Sequence, residues 1–134
     1  RFTLSNKIWN KASKGRIILC DRYKSEDLGV MDSKRLIATD YDGLKKKISL
    51  KENELYNSIA KPDILFYLTV PVDVAVQRNA DRIKKGKESE EFLRIRHLEN
   101  QNLNYKAKNF FKINTDRDYK EVIQEIKTII WKNI

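Results

Sequence analysis

Lys61–Arg78 reads KPDILFYLTVPVDVAVQR. Pro62-Asp63 breaks the chain, because the residue ahead of a proline is pushed out of the helical region. Ile64 to Val70 then runs apolar with no polar alternation. That is the pattern of a strand buried on both faces, as in a parallel sheet. Pro71 suits the first turn of a following helix, and Val72, Val74, Ala75, Val76 and Ile83 give that helix an apolar face. A buried strand leading directly into a helix predicts an α/β layered fold.

The same alternation continues on both sides. Upstream, Phe2, Ile8, Trp9 and Ala12 fall near helical spacing, and Gly15 is a natural stop. Ile17 to Cys20 form a short apolar run read as another buried strand. Lys24 to Lys47 is polar and charged and reads as loops and short helices, with Lys45-Lys46-Lys47 on a solvated surface. Ser49-x-x-Glu52 has the form of a capping box, predicting a helix through about Ala60 with Leu50, Leu55 and Ile59 inward. Downstream, Gly86 interrupts a cluster of cations, and Glu88 to Lys106 reads as a helix carrying Phe92, Leu93, Ile95 and Leu98. Phe110 to Ile113 is a third short strand. Asn114 or Thr115 would cap a final helix with Val122, Ile123, Ile126, Ile129 and Ile130 at helical spacing. Trp9 and Trp131 fit apolar helix faces.

With 134 residues the chain corresponds to one domain or part of one. An apolar content of 40% and a charged content of 35% describe a soluble globular chain. No apolar stretch approaches the roughly 20 residues of a membrane span, and no signal peptide is visible. Cys20 is the single cysteine, so no internal disulfide is possible. Its place in an apolar run predicts a buried thiol and a cytoplasmic protein. A formal charge of +9 is compatible with a polyanion partner, but charge alone favours a lysine-rich surface that merely keeps the protein soluble.

In open parallel sheets, ligands bind beyond the carboxyl ends of the strands. Three such ends are visible: Asp21-Arg22-Tyr23, Thr69-Val70-Pro71 and Asn114-Thr115-Asp116. At the first, a carboxylate can organise Mg²⁺ or accept a hydroxyl proton, an arginine can fork onto phosphate, and a tyrosine can pack on a sugar or base. A structural ion pair at a strand end is the competing reading. Arg78-x-x-x-Arg82 places two arginines on one helical face, with Lys84, Lys85 and Lys87 following around Gly86. Such a segment could close on phosphates, or it could be a solvated helix end whose cations complement the dipole. His97 has no metal-ligand partner spacing and reads as structural or surface. No metal-binding cysteine or histidine pattern occurs.

Taken in order, "GRIILCDRY", "KPDILFYLTVPVDVAVQR", "RNADRIKKGKESEEFL" and "FFKINTDRDYKEVIQEI" resemble four segments of the thymidylate kinases, P-loop nucleoside monophosphate kinases that phosphorylate dTMP. The resemblance implies a three-layer parallel sheet flanked by helices, with three of about five strands present. It also implies ATP and Mg²⁺ as cofactors, a homodimer, and a lid over about residues 78–90. Carried over residue by residue, Asp21 would be the carboxylate near the transferred phosphate and Mg²⁺. Arg22 would contact donor and acceptor phosphates, and Tyr23 would lie near the acceptor sugar. Arg78 and Arg82 match the paired lid arginines, near adenine and the transferring phosphate. Lys84, Lys85 and Lys87 are lid cations. Arg1 stands where a family arginine reaches the thymine edge, and Asn114, Thr115 and Asp116 match the loop beside adenine.

Two departures accompany the match. No G-x-x-x-x-G-K-[ST] occurs in these residues, so the resemblance implies that 1–134 is the C-terminal part of a single kinase domain. The missing strand and phosphate loop would precede Arg1, and this part alone is expected to fold poorly or to bind a partner. Lys24 to Met31 also lacks the Ser-rich stretch and Ala-Tyr-Gln-like segment usual after Tyr23. The expected activity is transfer of the ATP γ-phosphate to dTMP, with another (deoxy)nucleoside or nucleotide acceptor as the alternative. A non-catalytic basic module binding nucleic acid or another polyanion remains the other reading. Interleaved aromatic stacking residues, which would favour it, are not evident.

Overall fold

The computed structural model describes residues 10–28, 32–83, 86–100 and 105–134. The expectations placed on Phe2, Ile8, Trp9, Arg1, Lys84 and Lys85 lie outside the described residues. The chain divides into two compact units, residues 1–61 with 103–106, and residues 62–102 with 107–134.

The second unit holds the sheet. Strand β1 is Ile64–Thr69 and strand β2 is Asn109–Asn114, paired in parallel with Ile64 opposite Asn109 and Thr69 opposite Asn114. Side chains alternate between the two faces of a strand. Phe66 and Phe111 therefore meet on one face, with ring centroids 6.0 Å apart, and Tyr67 and Phe110 on the other at 6.1 Å. Ile113 is 2% exposed and Leu65 8% exposed, on opposite faces, so each face contributes to the core. The ladder extends past both ends through Lys108 N to Pro62 O, Asn109 N to Asp63 O and Thr115 N to Thr69 O.

Among the described residues, three helices accompany this sheet. Val72–Ala80 follows β1 with Pro71 at its N-cap, and Glu90–Glu99 follows Ser89, whose hydroxyl accepts from Phe92 N. Arg94 joins the two by donating to Asp73 at 2.8 Å. The Tyr67 hydroxyl donates to the carbonyl of Asn100, tying β1 to the end of the second of these helices. Tyr119–Asn133 begins at Asp118, not at Asn114 or Thr115, because the Asp118 carboxylate accepts from Lys120 N at 2.8 Å. Helix 90–99 is shorter than the expected Glu88–Lys106, and Phe92, Ile95, Leu98 and Trp131 are exposed rather than inward.

The first unit is built around the helix Gly43–Asn57, preceded by a single 3₁₀ turn, Ala38–Asp40. In chain order we label the helices α1 (43–57), α2 (72–80), α3 (90–99) and α4 (119–133). α1 starts six residues before the expected capping box, and Ser49 is buried in its middle. Glu52 accepts instead from Arg35 N at 3.0 Å and Leu36 N at 3.1 Å, so its carboxylate anchors the preceding loop. Tyr56 is buried and donates to Ser33 O at 2.7 Å, while Lys24 donates to Tyr56 O at 2.9 Å and Lys34 to Asn53 at 2.9 Å. The inward face of α1 is therefore Ser49, Glu52, Asn53 and Tyr56, one helical stripe, and Leu50 is 49% exposed. Glu26 bridges Lys24 and Lys106, each at 3.4 Å. Burial pushes its carboxyl up, but the two ammonium groups outweigh that and hold it below the usual carboxylate range.

The expected strand at Ile17–Cys20 does not form. Residues 16–20 belong to no ladder, and Ile17 and Leu19 are 61% and 84% exposed. Cys20 is exposed, not buried. An apolar run becomes a strand only when a neighbour accepts its backbone hydrogen bonds, and among the described residues β1 pairs with β2 alone. The helical residues 10–12 do stop at Gly15, which has φ 69° and whose N–H bonds Ala12 O.

Replacing Asp118 by Ala removes the cap of α4 and is expected to cost about 1 kcal/mol. Urea denaturation of the full chain checks this, and an unchanged midpoint would show that the cap contributes nothing.

Candidate functional site

Each unit carries one cluster. In the first unit, Asp21, Arg22 and Tyr23 follow the extended run 16–20. Arg22 has φ 68°, a left-handed conformation that costs a residue with a Cβ about 1–2 kcal/mol. Such outliers concentrate where geometry is held for a purpose. Asp21 and Arg22 are both exposed, and among the described residues neither makes a hydrogen bond or an ion pair. The strand-end ion pair is therefore absent, and both charges face solvent. Tyr23 is half-buried. Burial pushes its phenol up to about 12, and the nearby Cys20 adds to this, so the ring is neutral throughout the physiological range.

In the second unit, the parallel register brings the carboxyl ends of β1 and β2 side by side. Thr115 N and the Thr115 hydroxyl both donate to Thr69 O, at 2.8 and 3.0 Å. The Thr69 hydroxyl returns a bond to Ile113 O at 3.2 Å. Arg78, on the last turn of α2, reaches this junction: Nη2 donates to Thr115 O at 2.9 Å and Nη1 to the Thr115 hydroxyl at 3.4 Å. Asn114 accepts from Asp116 N at 2.9 Å, which shapes the loop as an Asx turn. Arg78, Asn114, Thr115 and Asp116 are thus brought together.

Arg82 is not on the same helical face as Arg78. α2 ends at Ala80, and Arg82 lies beyond its C-cap, Asp81, so the four-residue spacing has no helix to act through. The Arg82 side chain is exposed and without a partner among the described residues. Ile83 is likewise past the helix and fully exposed. Lys87 donates to Ala80 O and caps α2, and Asn79 donates to Glu88 O at 3.1 Å. The segment after Gly86 is therefore folded back on the end of α2. Glu88 pairs with Arg96 at 2.5 Å. Thr69 lies at a strand end already visible in the sequence, but its part here is played by its backbone carbonyl, which residue type alone does not reveal.

The donor set fits a magnesium nucleotide held largely by its own phosphates. Among the described residues there is no cluster of three or more His, Cys, Asp or Glu able to cage a metal. Mg²⁺ commonly takes one or two carboxylates and completes its shell with waters and phosphate oxygens. The uncommitted carboxylate of Asp21, beside the uncommitted Arg22, suits that mode. No helix is long and apolar enough to cross a membrane, among the described residues.

A short parallel sheet followed by helices, with Arg78, Asn114, Thr115 and Asp116 at the strand carboxyl ends, is an α/β arrangement in which ligands bind beyond those ends. The family model for thymidylate kinase matches residues 1–126. Over 122 residues the chain is 31% identical to a thymidylate kinase of Thermosipho melanesiensis, covering 87% of this chain and 56% of that protein. It is 31% identical over 134 residues to a thymidylate kinase of Mesomycoplasma hyopneumoniae, covering 94% and 59%. A thymidylate kinase of Fervidobacterium nodosum is 31% identical over 121 residues, covering 84% and 54%. No solved structure matches. The chain belongs to the thymidylate kinase family, whose fold is that of the P-loop kinases. It spans a little over half the length of the curated relatives it matches.

Two outcomes check this geometry. In a titration followed at 295 nm, the difference between wild type and Tyr23→Phe should show a phenol midpoint of about 12. Because folding favours the neutral phenol, its stabilising contribution is full below about pH 10 and is lost as the pH rises towards 12. A midpoint near 10 would mean a solvated ring. Arg22→Gly relieves the left-handed backbone and should leave stability unchanged or raised by up to about 1 kcal/mol, whereas Arg22→Val should lower it by about 1 kcal/mol or more. Equal urea midpoints for the two variants would contradict the strain.

Proposed function

We propose that this chain supplies the acceptor-side charges and the donor-base loop of a nucleoside monophosphate kinase that transfers the ATP γ-phosphate to dTMP, giving dTDP. The observation that carries the reading is the pair of uncommitted charges at Asp21 and Arg22, held in a strained turn, in a chain of the thymidylate kinase family. Bound ATP supplies the phosphoryl group, and Mg²⁺ neutralises charge on it. The protein's share of such a reaction is positioning and charge stabilisation, with little covalent work.

In this reading Asp21 is the carboxylate near the transferred phosphate and helps hold Mg²⁺ through the phosphates. Arg22 forks onto phosphate oxygens of both nucleotides. Tyr23 packs beside the acceptor sugar as a neutral ring, and Arg1 reaches the acceptor base. On the donor side Arg78, Asn114, Thr115 and Asp116 border the purine, and Arg82 brings charge to the transferring phosphate. Lys84, Lys85 and Lys87 belong to a lid over about residues 78–90 of a single domain. For Lys87 to reach phosphate, it must leave the carbonyl of Ala80. A cytoplasmic homodimer is the setting the family suggests.

A second acceptor class stays in play on one observation. The stretch after Tyr23, where the family usually carries its Ala-Tyr-Gln-like segment, is here Lys24–Asp27 and beyond, with Ser25 buried and bonded to Asp27 at 2.9 Å. A wall of different composition beside Tyr23 favours testing other (deoxy)nucleoside monophosphates beside dTMP.

In the complete protein, Asp21→Asn and Arg22→Ala should each lower kcat at least about 100-fold, with circular dichroism and urea midpoint preserved. A coupled ADP-release assay over a panel of monophosphate acceptors reads this. Undiminished turnover in either variant would overturn the reading. Salt-sensitive nucleic-acid binding with no phosphoryl transfer would favour the polyanion module.

A further inference from the structure

The Arg78 guanidinium is gripped at two points by one residue. Nη2 bonds the carbonyl of Thr115 and Nη1 its hydroxyl. That hydroxyl is itself fixed, because it donates to Thr69 O at the end of β1. Thr115 N donates to the same carbonyl. A hydroxyl has one donor and two acceptor lone pairs, and here the donor faces the strand end while a lone pair faces Arg78. The geometry points to Thr115 as a positioning residue: its hydroxyl transmits the register of the β1–β2 ladder to the plane of the Arg78 guanidinium, and so presets Arg78 for the donor nucleotide. The inference rests on the donor nucleotide lying at the 114–116 loop, as proposed above.

Two features make the hydroxyl a specific link. Arg78 is exposed and carries a long flexible stem, so one bond to a carbonyl would leave the fork free to swivel about it. A second bond on the other terminal nitrogen removes that freedom before the ligand arrives, which lowers the ordering cost of binding. The guanidinium has five N–H donors, so two can hold the protein while the others remain for the ligand. Removing the hydroxyl also leaves no orphan in the sheet, because Thr69 O keeps its bond from Thr115 N at 2.8 Å. Loss of the link is therefore separable from loss of the fold.

The test uses the complete protein, with ATP as the probe. Thr115→Val keeps the side-chain shape and deletes the hydroxyl, while Thr115→Ser keeps the hydroxyl. Thr115→Val should raise KM and Kd for ATP at least about 5-fold, since a bond from a cation is worth at least as much as an ordinary neutral one, with kcat changed less than about twofold. Thr115→Ser should recover ATP affinity to within about twofold. In an Arg78→Ala background Thr115→Val should add nothing, because the hydroxyl acts only through the guanidinium. Equal ATP affinity in wild type and Thr115→Val would overturn the proposal. So would an equal further loss in the Arg78→Ala background, which would mark the hydroxyl as acting elsewhere. Wild-type protein that turns over no acceptor and binds no ATP would overturn the underlying functional reading as well, and so is distinct from the first two results.

Discussion

The parallel ladder between Ile64–Thr69 and Asn109–Asn114 is the constraint on which the second unit depends. Its register places Thr69 opposite Asn114, so the next residue, Thr115, can return both its N–H and its hydroxyl to Thr69 O. One carbonyl thereby closes the end of the sheet and fixes the loop that follows. A slip of one residue would move every side chain of a strand to the other face. It would separate Phe66 from Phe111 and carry Ile113, the most buried apolar residue, out of the core. The packing of both faces therefore defends the position of the loop.

The first unit depends on polar docking instead. Its helix α1 presents Glu52, Asn53 and Tyr56 to the loop at 33–36; Glu52 and Tyr56 bond backbone groups of Ser33, Arg35 and Leu36, and Asn53 accepts from the Lys34 side chain. A carboxylate accepting from two successive N–H groups is a charge-assisted arrangement, stronger than its neutral counterpart. The loop after Asp21-Arg22-Tyr23 is consequently anchored at Lys24, Ser33 and Lys34, while Asp21 and Arg22 stay uncommitted. Anchoring of that kind lets a turn hold Arg22 at φ 68° without a glycine.

Much of the second unit was legible in the sequence. Continuous apolar runs at 64–70 and 110–113 became strands, and Pro71 marked the start of α2. The same signal at 17–20 gave no strand, because periodicity reports what a segment can bury, not whether a neighbour exists to complete its ladder. Ser49-x-x-Glu52 was read as a cap from local spacing, yet Glu52 serves N–H groups 16 and 17 residues away. Tertiary demand overrode the local motif. The cap of α4 was misplaced because Asn114, Thr115 and Asp118 are all competent cap residues. The first two are drawn into the strand-end loop, leaving Asp118 for the helix. Site residues followed the same division. Those at strand ends were findable from fold logic, whereas the relation of Arg82 to Arg78 depended on where α2 stops.

Part of the cationic surface behind the formal charge of +9 is committed to local partners. Lys24, Lys51, Arg94, Arg96, Lys106 and Arg117 are each paired with a carboxylate. Lys87 and Arg78 are turned onto carbonyls, and Lys34 onto the Asn53 amide oxygen. The exposed pairs among these add little stability, but all of them place opposite charges within about 4 Å and so weaken the local positive field. A polyanion-binding face needs cations that act in concert along a surface. Among the described site residues, the side-chain charges left uncommitted are Asp21 and Arg22 in one unit, and Arg82 and Asp116 in the other. A carboxylate beside an arginine would repel part of a polyanion backbone. The same pair can share a phosphate and its metal, because the cation meets the oxygens while the carboxylate meets Mg²⁺. The sign pattern at Asp21-Arg22, more than the total charge, is what supports the proposed phosphoryl transfer over polyanion binding.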